Sequence, residues 1–313
     1  MALRIRKSIT LGAGVASDIE ATGGGARYEL KPHGRRGTRR KWAAATPAPA
    51  WTIPAKPGLR APRHERDFFM GLEELKGGRP ELALQRFEAA ARRDTRGRAL
   101  SDDLLAGLTA LELGNPDLAA PHLEVVVASD VALPDGLLSR YAPELAFELS
   151  ITPAVGAVIR AGSLAAALAL VECYQEMARY EEATGVLQQL IRLDGDPALR
   201  VSLCELYAEA DDWDEIAQLA AGTENADDLT LQTLLYLGCA HAEREEDEKA
   251  LAVYGTALSS RRRPAELLME ARYERGRTHL RLGNEREGLE DLEEVYALDP
   301  EYRDVAQLLE RVE

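Results

Sequence analysis

Two stretches near the C-terminal end of the chain repeat one another. Leu237-Gly238 is followed by Ala250, Tyr254 and Ala257. Gly276 is followed at the same offsets by Gly288, Leu292 and Val295, and then by Asp299-Pro300. A spaced recurrence of small and bulky residues constrains a chain more than its composition does. Each copy is one supersecondary unit that cannot bury its own apolar face, so stability requires that several copies stack. Small residues allow two helices to approach closely, and bulky ones fill the gap to the next copy. Composition agrees, because Ala, Leu and Glu dominate and aromatics are only 5%, which favours helix.

These offsets resemble the tetratricopeptide repeat, a helix–turn–helix of about 34 residues with small residues at positions 8, 20 and 27 and a bulky one at 24. Sliding that frame along the chain predicts six units, at 64–97, 100–133, 164–197, 197–230, 231–264 and 269–302. The first carries Gly71, Ala83, Phe87 and Ala90, and the second Gly107, Ala119 and Leu123. The third carries Leu170, Tyr174, Tyr180, Ala183 and Leu187, and the fourth Cys204, Tyr207, Trp213 and Ile216. The expected fold class is all-α, a tetratricopeptide-type α-solenoid. Two repeats span 64–133 and four span 164–302. A capping helix over 303–313 puts Val305, Leu308 and Leu309 on one side,.

The interval 134–163 lacks the small-residue spacing. Alternation before Thr152-Pro153 and a β-branched run after it suggest a hairpin. A degenerate repeat with a broken second helix is the alternative, and both stay open here.

The head differs in kind. Residues 1–66 hold 14 Lys/Arg against 4 Asp/Glu, a net of +10, and the remainder holds 24 against 49, a net of −25, which sum to −15. Residues 1–45 form a basic, Gly-rich segment with weak β character, in which Ala26–Leu30 and 39–43 could pair across a turn. Residues 46–63 are a Pro/Ala-rich linker. The opening Leu3-Arg-Ile-Arg-Lys7-Ser8-Ile-Thr-Leu11-Gly12-Ala-Gly14-Val15 resembles a short bacterial N-terminal domain of unknown function. That likeness implies a bacterial origin and a small β element.

Several function classes are disfavoured. The longest apolar stretch, Val155 to Val171, is interrupted by Arg160, Gly162 and Ser163, whereas spanning a bilayer takes roughly 20 apolar residues. Ser8 to Ala16 is a poor signal-peptide core. Cys173, Cys204 and Cys239 each fall inside a predicted helix and fit buried hydrophobes in a reducing, cytoplasmic compartment. Gly12-Ala-Gly14-Val-Ala-Ser17 lacks the third small residue of a dinucleotide fingerprint, and no Walker, Gly-x-Ser-x-Gly or His-Glu-x-x-His motif is present,. His241 and His279 share position 11 of their repeats and fit packing roles. No catalytic, cofactor or metal site is predicted.

The family resemblance implies that helix A positions 9 and 13 line a concave groove. They hold Glu112, Glu172, Glu176, Glu205, Glu209 and Glu243, with Arg277 and Arg281 in the last repeat. Such a row attracts a basic peptide. The expected function is a non-enzymatic interaction scaffold that binds a protein or peptide with a basic segment. Self-association is compatible with the sequence. The basic arm (Arg35, Arg36, Arg39, Arg40, Lys41) could dock on that row and gate it. The alternative is that the arm tethers the chain to nucleic acid or an anionic membrane while the repeats recruit a protein. The body's −25 disfavours nucleic acid.

Overall fold

The computed structural model describes residues 9–22, 26–30, 46–47, 51–93, 100–131, 133–151 and 155–310. They fall into two compact units, one ending at Asp196 and one beginning at Pro197. The fold class is all-α, of the tetratricopeptide α-solenoid type.

In the first unit, α1 (Ala13–Thr22), β1 (Ala26–Leu30) and β2 (Thr46–Pro47) come first. Then follow the hairpins α2 (Arg63–Lys76) with α3 (Pro80–Arg93), and α4 (Leu100–Glu112) with α5 (Pro116–Val127). After α6 (Gly136–Tyr141), β3 (Ala146–Ser150) and β4 (Val155–Arg160) comes the hairpin α7 (Ser163–Glu176) with α8 (Tyr180–Leu193). The second unit holds α9 (Pro197–Glu209) with α10 (Trp213–Leu219), α11 (Asp228–Glu243) with α12 (Asp247–Ala257), and α13 (Ala265–Arg281) with α14 (Glu285–Leu298). A short α15 (Val305–Glu310) ends it.

The recurring small residue has a steric cause. A Cβ added at Gly71 would lie 2.5 Å from the Phe87 ring, one at Gly107 2.7 Å from Leu123, and one at Gly276 2.9 Å from Leu292. At Gly238 it would come closer still to the Tyr254 ring. In these four hairpins the first helix therefore lacks a side chain where the second inserts a bulky one, and Phe87, Leu123, Tyr254 and Leu292 are all fully buried. The turn between the helices has its own signature. Gly78, Gly114 and Gly283 have positive φ, and so do Ala178, Asp211 and Glu245 at the equivalent place in the other three hairpins. Left-handed backbone costs a non-glycine residue roughly 1 kcal/mol. The packing of the two helices holds those three turns in place.

The interval 134–163 loops out of the stack, since α5 packs directly against α7. Its strands β3 and β4 pair as an antiparallel hairpin, Phe147 opposite Ile159 and Leu149 opposite Ala157. These four side chains are buried, while Glu148, Val158 and Arg160 face outward, the alternation of a sheet with one covered face. The short helix α6 anchors the insert to the first repeat. Tyr141 is buried, with its ring 5.7 Å from Phe69 and its hydroxyl donating to Glu65 at 2.5 Å.

The head departs from the expected weak β segment. Ala13–Thr22 is helical, and β1 pairs not with 39–43 but with β4, from Ala26 opposite Ile159 to Leu30 opposite Val155. Residues 39–43 lie outside the described residues. Part of the Pro/Ala stretch is likewise fastened, because Thr46–Pro47 pairs with β3. Trp51 is buried, with the Lys76 ammonium 5.9 Å over its ring. The sheet order is β1-β4-β3-β2. The basic stretch 31–45 thus connects the two outer strands of one sheet.

Replacing Gly238 by Val should destabilise the fold by about 1–3 kcal/mol through overpacking. Gly255 in α12 has open space around it, so Gly255→Ala should stabilise by roughly 0.5–1 kcal/mol through helix propensity. Urea unfolding followed by circular dichroism measures both. Equal effects would contradict the steric account.

Candidate peptide-binding surface

The carboxylates expected in a groove do not share one environment. In the first unit Glu172 is buried at 2% exposure, so it does not line an open surface. Glu176, one turn further along α7, is exposed, and partial desolvation raises its carboxyl above the usual range. Glu112, at the end of α4, is half-buried, and its Oε2 has no hydrogen-bond partner among the described residues. Burial, and then the neighbouring Glu81 charge, push its carboxyl up to about 7.

In the second unit Glu205 is buried and Glu209 exposed, and desolvation again raises Glu209. Glu243 is exposed. The two arginines are engaged within the unit. Arg277 pairs with Glu274 at 3.3 Å and lies 5.6 Å over the Tyr273 ring. Arg281 forms a two-pronged pair with Asp247, its Nε 3.0 Å from Oδ2. The basic arm residues Arg35, Arg36, Arg39, Arg40 and Lys41 lie outside the described residues.

The described histidines His241 and His279 and the cysteines make local contacts. His241 Nδ1 sits 2.6 Å from Glu246, and His279 meets Asn284 at 3.4 Å, each across the turn that ends its helix. Cys173 and Cys204 are buried, and burial pushes the Cys204 thiol up to about 12. The Tyr254 hydroxyl donates to Cys239 at 3.5 Å. No group of three or more His, Cys, Asp or Glu among the described residues could hold a metal ion. No helix among them is long and apolar enough to cross a membrane.

Sequence reasoning missed a cluster beyond the last repeat. Arg303, at positive φ, pairs with Glu270 at 3.1 Å and with Glu274. Its guanidinium lies 4.8 Å over Tyr273 and 5.2 Å over Tyr302. The Tyr273 hydroxyl donates to Asp304. One cation thus neutralises two nearly buried carboxylates and fixes Tyr302 and α15 against Tyr273, Leu292 and Val295. Arg303 lies in a charged surface-like stretch, and only its three-dimensional neighbours mark it.

Residues 270–302 match the family model of the tetratricopeptide repeat. The chain carries that repeat, and its helical hairpins have the fold of tetratricopeptide-repeat proteins. No curated protein matches the sequence. Among solved structures, the chain is similar to the N-terminal domain of the EccA1 ATPase from the ESX-1 secretion system of Mycobacterium tuberculosis, with 15% identity and a TM-score of 0.46, covering 79% of this chain and 88% of that one. It is also similar to the assembly chaperone of RpL4 (Acl4, residues 1–338), with 16% identity and a TM-score of 0.41, covering 80% and 95%. A third is TTC0263, a thermophilic tetratricopeptide-repeat protein of Thermus thermophilus, with 17% identity and a TM-score of 0.24, covering 80% and 98%.

Two outcomes are expected. Arg303→Ala removes a cation from beside the nearly buried Glu270 and Glu274 and should cost about 3 kcal/mol, seen as a lower urea midpoint. Glu112 takes up a proton more readily in the folded chain than unfolded. Its effect is a loss of stability as pH rises from about 4.5 towards 7,. Glu112→Gln should therefore be more stable than the parent at pH 8 and closer to it at pH 5. An equal difference at both pH values would contradict the assignment.

Proposed function

We propose that this chain is a non-enzymatic interaction scaffold, in which the helix A carboxylates of each unit, taken by itself, bind a protein segment carrying basic side chains. The observation that supports this most is the state of Glu112, Glu176 and Glu209. Desolvation raises all three, so each is a carboxylate whose surroundings disfavour its charge. An incoming Lys or Arg supplies the missing cation and favours ionisation. The same logic makes Glu172 and Glu205 scaffold residues, since they are buried, and leaves Glu243 as an outer contact.

Regulation by the chain's own basic segment is part of the reading. Arg35, Arg36, Arg39, Arg40 and Lys41 have the chemistry that the row attracts. In sequence they fall between β1 and β2. Net charge of −15 disfavours polyanions as the main partner.

Titrating the full chain with a synthetic peptide of residues 31–45 should show binding that weakens as salt rises. At pH 7, calorimetry in two buffers of different ionisation enthalpy should show proton release. Release is up to about half a proton from Glu112 alone, given its value near 7,. Glu176→Gln should weaken binding a few-fold. Salt-independent binding, or none, would overturn the reading.

A further inference from the structure

The strongest unassigned feature is how residues 9–22 sit on the first unit. The strap crosses the exit of α5, the start of α7 and one face of α8. At its outer end Gln189 reads the backbone twice: its Oε1 accepts from Leu11 N at 3.0 Å and its Nε2 donates to Ile9 O at 3.0 Å. Gly12 N donates to Val127 O at 2.8 Å and Gly14 N to Ser129 O at 3.2 Å. Between them Ala13 N donates to Asp130 Oδ1 at 3.1 Å.

The close approach requires glycine. A Cβ at Gly12 would overlap the Ser129 carbonyl, and one at Gly14 the Val131 carbonyl. One turn further on, α1 buries Val15, Asp18 and Ile19. The Asp18 carboxylate accepts from Leu164 N at 2.9 Å. It thus caps α7, whose own N-cap is Gly162, a residue without a capping side chain. A Cβ at Gly162 would fall 2.5 Å from Asp18 Oδ2. Small residues on both sides of the contact, a glutamine that reads main chain, and a carboxylate on a helix start make up a sequence-specific peptide site.

The strap is joined to β1 only through Gly23-Gly24-Gly25, and glycine restricts the backbone least of all residues. Exchange of an identical element between copies recreates every contact and is a low-cost route to a dimer. We propose that this seat also accepts residues 9–22 of a second copy of the chain, so that two molecules associate by exchanging straps. The seat uses none of the carboxylates assigned to the basic partner, and the inference stands apart from that function. Docking within one chain has the advantage of high effective concentration, so exchange is favoured as the protein is concentrated or when cis docking is blocked.

The test uses two full-length variants. Gly12→Val with Asp18→Ala spoils the strap and leaves the seat. Gln189→Ala with Gly162→Val spoils the seat and leaves the strap. Each alone should be monomeric by light scattering after size exclusion. An equimolar mixture should contain a species of twice the mass with one copy of each. A mixture with only monomer mass overturns the proposal. In parallel, a labelled peptide of residues 9–22 should bind the strap-spoiled variant saturably, and Asp18→Ala in the peptide should weaken it at least tenfold. Failure of either result overturns the seat itself. Should a double variant lose its helical circular dichroism, Gly12→Ala and Gln189→Ala replace them in the same mixture, with the same readings.

Discussion

Four of these hairpins depend on one clearance, the space above a glycine on the first helix of the pair. Phe87, Leu123, Tyr254 and Leu292 each occupy space that a Cβ at Gly71, Gly107, Gly238 or Gly276 would invade. Filling the space with a bulky ring or branched chain brings in dispersion contacts that a Cβ would push apart. The helix propensity lost at each glycine, about 1 kcal/mol, is offset by that burial. The third and fourth hairpins, α7–α8 and α9–α10, solve the same problem without glycine. At the matching repeat positions they carry Val171 with Leu187, and Cys204 with Ala220. The constraint is therefore a joint one on two positions, and glycine is one way to meet it.

That joint constraint explains what was legible beforehand. The helical pairs at 63–93, 100–127, 163–193, 197–219, 228–257 and 265–298 follow the small–bulky spacing, which acts within a few dozen residues. The position of the head was not legible. Asp18 meets Leu164, and β1 meets β4, across separations for which local spacing carries no signal. The motif Leu11-Gly12-Ala-Gly14-Val15 was visible, yet its glycines serve the approach of two main chains and not a β turn or a phosphate loop. Helix A positions did not reveal which of the expected groove carboxylates are buried. Glu172 and Glu205 point where the chain is covered, and Glu176 and Glu209, one turn on, do not.

Burial also changes the meaning of the formal charge. A count of −15 treats each carboxylate as ionised. Glu112 is only about half ionised at neutral pH, by its value near 7, and Glu176 and Glu209 are raised as well. In contrast, Glu270 and Glu274 pair with Arg303, and Glu246 is held low by His241 and Lys249. Among the described residues the acidic groups thus divide into those paired with a cation and those that burial holds above the usual range. Under the proposed function only the second kind gains ionisation from a basic partner.

The basic residues belong in the same argument. Were residues 1–63 an unattached arm, their charge would act wherever diffusion took it. Instead the sheet is assembled from three distant pieces of chain, 26–30, 46–47 and 146–160. Its inner hairpin needs partners on both edges to cover its main-chain groups. Strands β1 and β2 supply them, one on each side. The stretch 31–45 is therefore tethered at both ends by the same hydrogen bonds that complete the insert. A basic segment that must begin and end on one sheet has a defined origin on the first unit. Electrostatic attraction from it falls off within about 8 Å at physiological salt. For the proposed basic partner, position therefore counts as much as charge: among the described residues, Glu112, Glu176 and Glu209 are carboxylates that burial holds above the usual range.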